Sequence, residues 1–289
     1  MDPVAQRKTT PTVRLRRLAA ELRRLRGEAG MTREEVSEQT GINSVTLYRI
    51  ESAKARPQGR TLAAMLSLYE VDAELRPQLV ALSKDAAKQG WLQPFHSDLP
   101  DEYTALISFE SEAKTIRNYE SLFIPGLVQT EDYARAVIRG VLPQYSEQDI
   151  EARVQARLSR QTLLSKEKPP SFWAIVDEAA LHRMVGGRGT MEGQYQRLLD
   201  AAACPEVTLQ VVPFGAGAHP GMPGSFIHLT FPDLMDTDLV YIDSMAGDLF
   251  LESEKDVHRY EFIFDHLRAV AMSPADSSQL LKELAQQLK

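Results

Sequence analysis

One cysteine, Cys204, stands in 289 residues. An intrachain disulfide is therefore impossible, and a reducing, cytoplasmic setting is expected. The thiol, between Ala203 and Pro205, reads as a small packing residue. No run of eighteen apolar residues occurs, so no membrane span is expected. The opening MDPVAQRKTTP has no apolar stretch of the secretory kind. The histidines are His96, His182, His219, His228, His258 and His266, and none forms an H-E-x-x-H pair or joins a cysteine cluster. His258 and His266 are about two helical turns apart, too far to share a metal. The glycine loop MVGGRGT follows a helical stretch and lacks the Lys-Ser/Thr of a phosphate-binding loop, so turn duty is its better reading. Asp243, Asp248 and Glu252 gather near the last strands with no nucleophile motif beside them, and they read as solvated loop acids. The expectation is a chain with no enzyme activity, no metal and no cofactor. There is no fixed-period repeat and no low-complexity tract.

What is present is an ordinary globular composition, 43% hydrophobic and 25% charged, with length for one large or two ordinary domains. The net charge of −7 hides an asymmetry. Residues 1–60 hold 13 Lys/Arg and 7 Asp/Glu, a balance of +6; the other 229 hold 20 and 33, a balance of −13. A basic head on an acidic body is expected when one domain meets phosphates and the other does not.

Along the chain, residues 1–11 read as a loose arm containing Arg7 and Lys8. Leu15, Leu18, Leu22, Leu25 and Ala29 recur at steps of three and four and predict a helix over 13–28, ended by Gly30. Further helices are expected at 32–40, 43–53, 60–70 and 75–88. WLQPFHSDLP, with two prolines and no period, reads as the connection between domains, placed at 89–102. Beyond it, helices are expected at 102–119, 130–140, 146–164, 177–183, 190–203, 253–272 and 274–287. Strands are expected at 172–176, 207–212, 225–231 and 238–243, with a short piece at 248–251. The fold class is mainly α: a five-helix head over 12–88, then an α+β domain with a small sheet over 103–289.

The most informative stretch is MTREEVSEQTGINSVTLYRIESAKARP, from Met31 to Pro57. Thr32 and Glu35 can form a capping box, Gly41 supplies a left-handed turn residue, and Asn43 can cap a second helix. Val36, Ile42, Leu47 and Ile50 cannot share one helical face, but two helices meeting at an angle can bury them all. The segment resembles the helix-turn-helix of the lambda-repressor-like (XRE) family, matching at Thr32, Glu34, Glu35, Val36, Gly41, Ile42, Asn43, Thr46, Leu47, Arg49, Ile50, Glu51 and Pro57. It departs at Ser37, where the family prefers alanine, and at Ala53, where a capping glycine is usual. The resemblance implies binding to double-stranded DNA through the helix at 43–53. Ser44, Val45, Thr46, Tyr48 and Arg49 would face base edges, Arg33 would grip phosphate, and Lys54, Arg56 and Arg60 would contact the backbone. Arg14, Arg16, Arg17, Arg23, Arg24 and Arg26 lie off the apolar stripe of the first helix and read as solvated surface.

Residues 119–135 (YESLFIPGLVQTEDYAR), 172–187 (FWAIVDEAALHRMVGG) and 212–226 (VPFGAGAHPGMPGSF) resemble a domain of uncharacterised function found behind such heads in many bacterial regulators. That resemblance covers roughly 103–285. It supplies an architecture without chemistry, and it likens the chain to the antitoxin side of toxin–antitoxin pairs, with a small cognate partner protein. The expected function is a sequence-specific transcription regulator acting as a homodimer, its C-terminal domain serving self-association, partner binding or a small-molecule effector. The GAHPGMPG loop is read either as a ligand or partner surface or as an unusual hairpin connection.

Overall fold

A computed structural model describes residues 13–86, 99, 101–232, 236–244 and 247–288. The arm at 1–11, and residues 89–98 and 100 of the expected connection, lie outside the described residues. The described residues fall into two compact units, the first taking in 13–86 and 101–109, the second 99 and 110–288.

The first unit contains α1 (Val13–Glu28), α2 (Arg33–Thr40), α3 (Ser44–Glu51), α4 (Gly59–Leu68) and α5 (Leu75–Asp85). Each forms where its apolar period predicts. Leu18, Leu22, Val36, Leu47, Met65 and Leu66 are fully buried in one shared core. Ala29 is a correction: it lies beyond the end of α1 and is exposed. Ile42, at the turn, is only partly buried. The Thr32–Glu35 capping box opens α2, and Asn43 Oδ1 accepts from the Val45 amide at 2.8 Å to open α3. α2 ends on the left-handed Gly41, and three more helices end on such a residue: α1 at Gly30, α3 at Ala53 (φ 54°) and α4 at Glu70 (φ 52°). In each of these three, the next amide donates five residues back: Met31 to Arg26, Lys54 to Arg49 and Val71 to Leu66. That closure satisfies orphaned helix carbonyls. Its left-handed backbone costs a side chain with a Cβ about 1–2 kcal/mol, which is why glycine is usual at the Ala53 position.

The second unit is a layered α+β domain. α6 (Asp101–Glu112) belongs to the first unit up to Phe109 and to the second from Glu110; after it come β1 (Thr115–Glu120), α7 (Glu131–Val141), α8 (Glu147–Gln161), β2 (Ser171–Asp177), α9 (Glu178–His182), α10 (Arg188–Ala202) and β3 (Val207–Val212). Then follow β4 (Phe226–Thr230), β5 (Leu239–Ile242), β6 (Leu249–Leu251), α11 (Glu254–Val270) and α12 (Pro274–Gln287). The sheet order is β3-β2-β1-β4-β5-β6, with β1, β2 and β3 parallel and β4, β5 and β6 in antiparallel pairings. The expected helix at 102–119 is corrected. It stops at Glu112, and Thr115–Glu120 is a central strand, paired in parallel with β2 and antiparallel with β4. The Cys204 expectation is also corrected, because the thiol is exposed just past α10.

Side chains alternate across the sheet. On one face Tyr119, Ile175, Val212, Phe226 and Val240 pack with Phe264 and Leu267 of α11. On the other, Ile116, Phe172, Ala174, Val176 and Leu229 are buried. Elsewhere in the unit, Glu110 and Arg160 form a buried ion pair, with Nη2 donating to Oε1 at 2.7 Å. No helix among the described residues is long and apolar enough to cross a membrane.

His228 lies in β4 on the α11 face, 1% exposed, and neither ring nitrogen has a partner among the described residues. Burial first, and then the Arg117 guanidinium, pull its pKa down to about 4; Glu261 and Asp265 on α11 oppose this. The folded chain therefore holds the ring neutral while the unfolded chain takes up a proton below pH 6.5. Stability is complete above about pH 6.5 and falls as pH drops toward 4, by about 3 kcal/mol from this group. Denaturant unfolding at pH 7 and pH 4.5 should show that loss in the wild type, and His228→Leu should lose less over the same interval.

Candidate nucleic-acid interface

α3 is two turns long, and its two sides differ. Leu47, Ile50 and Glu51 point into the head. Val45 is 63% exposed and Tyr48 45%, and Thr46 and Arg49 are exposed beside them. Ser44 is half-buried at the first turn. The outward side therefore carries a methyl-bearing residue, hydroxyls, an aromatic ring and a guanidinium, all able to touch base edges or phosphates. Arg49 makes no side-chain hydrogen bond or ion pair among the described residues, so none has to break before it reaches a ligand.

Tyr48 gathers two of the expected phosphate-contacting cations. The Arg33 guanidinium lies 5.3 Å from its ring centroid and the Lys54 ammonium 5.1 Å. Lys54 Nζ is also 3.4 Å from the Tyr48 hydroxyl. Each cation is attracted by the ring's quadrupole, so a stem that would otherwise sample many rotamers is held near the α3 surface. Arg60, in the first turn of α4, is exposed with no side-chain partner among the described residues. Arg56 is exposed but turns toward α5, donating to the Ser83 carbonyl at 3.4 Å.

Beneath this surface lies a clasp. Glu51 is 4% exposed, at the end of α3. Its Oε1 accepts from Arg26 Nε at 2.7 Å and its Oε2 from Arg26 Nη2 at 3.1 Å. Arg26 also donates through Nη1 to the Met31 carbonyl at 2.7 Å. Arg33 Nε stands 3.5 Å from the same carboxylate. One carboxylate thus ties α3 to α1 and fixes the root of Arg33. Hydrogen bonding to Glu51 holds the Arg26 guanidinium above its ordinary pKa. The sequence reading placed Arg26 off the apolar stripe as solvated surface; a long-range partner 25 positions away turns it inward. Arg24 does follow the surface reading, pairing with Glu21 at 2.6 Å and with Glu28 on its own helix.

In the second unit the acids expected to be solvated remain apart from this surface in sequence. Asp243 and Glu252 are exposed and Asp248 half-buried. No group of three or more metal-ligating side chains occurs among the described residues. In the glycine loop, Gly187 (φ 90°) precedes α10.

Two family models match the chain. One, described as a helix-turn-helix domain, matches residues 17–79, the head that carries α3. Helix-turn-helix architecture supports DNA binding and a part in transcription regulation. The other, described as a domain of unknown function (DUF5753), matches residues 103–283. No curated protein and no solved structure matches.

Proposed function

The chain belongs to the DUF5753 family and carries a helix-turn-helix domain ahead of that domain, and from that premise we propose a sequence-specific, XRE-type transcription regulator that reads the major groove with α3. The single observation carrying this is the two-sidedness of α3: Leu47 and Ile50 anchor it while Val45, Thr46, Tyr48 and Arg49 stand outward. Arg49 forks onto guanine, Ser44 and Thr46 bond to bases or phosphates, and Val45 meets a thymine methyl. Arg33, Lys54 and Arg60 bind phosphate, and Arg56 joins them after leaving the Ser83 carbonyl.

One head buries too little DNA for strong selection. A homodimer on a two-fold site, with half-sites about 34 Å apart or a multiple of that, raises the discrimination. The second unit serves self-association or binds a partner or effector. Asp243, Asp248 and Glu252 have no catalytic part in this proposal. A small cognate protein partner is the alternative role for the second unit, and co-purification with one would favour it.

The test is a gel shift with the protein's own promoter over a range of salt. Affinity should fall steeply, by about 10³-fold or more between 50 and 200 mM salt for a dimer that neutralises six or more phosphates. Failure to retard the promoter at low salt, or affinity flat across that range, would overturn the assignment.

A further inference from the structure

The C-terminal edge of the parallel strands holds a second constellation. Tyr119 is fully buried at the end of β1, and its hydroxyl has no hydrogen-bond partner among the described residues. His219 lies in the loop between β3 and β4, its side chain 6% exposed. Its Nε2 meets Asp177 Oδ2, at the end of β2, at 3.1 Å. An ionised carboxylate only accepts, so that nitrogen carries a proton, and in the ring's neutral form Nδ1 is the acceptor. Nδ1 is buried and also without a partner among the described residues. The Tyr119 and His219 rings stand edge to face, 6.1 Å apart. A buried donor and a buried acceptor, side by side and both unused, are costly unless something completes them.

The segments that follow these strand ends or lead into β4 carry exposed apolar side chains. Leu122 after β1, Met184 after α9, Phe214 after β3 and Met222 before β4 are 48%, 52%, 59% and 65% exposed. Phe214 stacks on His182 at 5.5 Å. Glu178 fixes both, accepting from the Phe214 amide at 2.6 Å and meeting His182 Nε2 at 3.2 Å. Phe214 and His182 are thereby held as one stacked pair. Met222 adjoins Gly221, where a Cβ would stand 2.5 Å from the Tyr119 ring, so the loop lies directly on the polar pair. The chain steps from β1 outward to β2 and β3, then returns to place β4 on the opposite edge of β1. Ligands of open α/β sheets bind outside the strand ends at such a reversal.

We propose that this strand-end surface binds a small neutral molecule with a planar apolar body and a hydroxyl group. The hydroxyl accepts from Tyr119 and donates to His219 Nδ1, so that one group pairs both atoms. The body lies against Phe214, Met184 and Met222 as the loop at 213–225 shifts. The carboxylates of Asp177 and Glu178 disfavour an anion there. The proposal rests on the regulator reading only in giving the second unit a binding role.

The experiment titrates the full-length protein with naphthol and with naphthalene, following binding by calorimetry or ligand-observed NMR. Naphthol should saturate the protein and bind about tenfold more tightly than naphthalene, the difference of one hydrogen-bonding group. Tyr119→Phe keeps the ring and should abolish most of that difference. Met222→Ser, at an exposed position, should weaken both ligands. No saturable naphthol binding, or equal naphthol affinity in the wild type and Tyr119→Phe, would overturn the proposal. So would a change of oligomeric state in Met222→Ser with naphthol binding intact, which would make the rim a protein contact. Promoter binding is measured separately without ligand, so loss of one reading leaves the other standing.

Discussion

Alanine in place of Glu51 is expected to destabilise the first unit by about 3–5 kcal/mol, the loss typical of removing one partner from a buried ion pair. That is a large part of the 5–15 kcal/mol by which domains are usually stable. The carboxylate accepts two hydrogen bonds from Arg26 and stands 3.5 Å from Arg33. Without it, the Arg26 guanidinium, 16% exposed, keeps its charge with little water to solvate it. Amide exchange in α1 and α3 of the full-length protein should rise together by two or more orders of magnitude, and promoter binding should fall with it. The companion variant Arg26→Met/Glu51→Leu removes both charges and should recover most of the stability. A single substitution that changes protection by less than tenfold would show that the clasp is dispensable.

Arg49→Ala should weaken promoter binding by about 10- to 100-fold and relax the sequence preference at one position of each half-site, because a bidentate base contact discriminates by about 1–3 kcal/mol. Arg49 is exposed and makes no side-chain hydrogen bond or ion pair among the described residues, so its loss should leave the melting temperature unchanged. Arg33→Ala should behave differently. It contacts Tyr48 and Glu51, and its removal should lower affinity about equally on all sequences and reduce the salt slope by about one per head. Footprints on the operator and on scrambled DNA at two salt concentrations separate the two patterns. Equal footprints for the wild type and Arg49→Ala would remove Arg49 from the base-reading set.

The head was legible because its determinants are local. Thr32 caps with Glu35 three residues on, Gly41 turns, Asn43 caps, and the leucines of α1 repeat at helical spacing. The inward positions of α3 followed from the two-helix pattern, and its outward set from the helix-turn-helix resemblance. What escaped was long-range. Arg26 looks like one more surface arginine until Glu51 is placed beside it. Tyr48 as a seat for Arg33 and Lys54 likewise depends on two flanking segments coming together. The largest miss was β1. TIRNYE has four polar residues in six, and nothing local marks it as the centre of a sheet. Its polar groups are satisfied only by the assembled fold: Asn118 Nδ2 donates to the Phe226 carbonyl and to Glu120, and Arg117 reaches Glu261 on α11. Strand preference of this kind is set by neighbours rather than by the segment. The GAHPGMPG stretch, for which an unusual hairpin connection is one reading of the sequence, instead joins β3 to β4 across β2 and β1, and nothing local in it shows that His219 reaches back to Asp177.

The pairing of β1 with β2 and β4 also bears on the order of events at the ribosome. The apolar core shared by α1 to α5 is available once about ninety residues have emerged, whereas Thr115 cannot meet Thr230 until more than a hundred more have followed. At synthesis rates of about 5–20 residues per second, that interval lasts roughly 10–30 s. The helix-turn-helix core can therefore be complete while β1 still lacks one of its two neighbours, which makes that interval the nascent polypeptide's period of greatest exposure to chaperones and proteases.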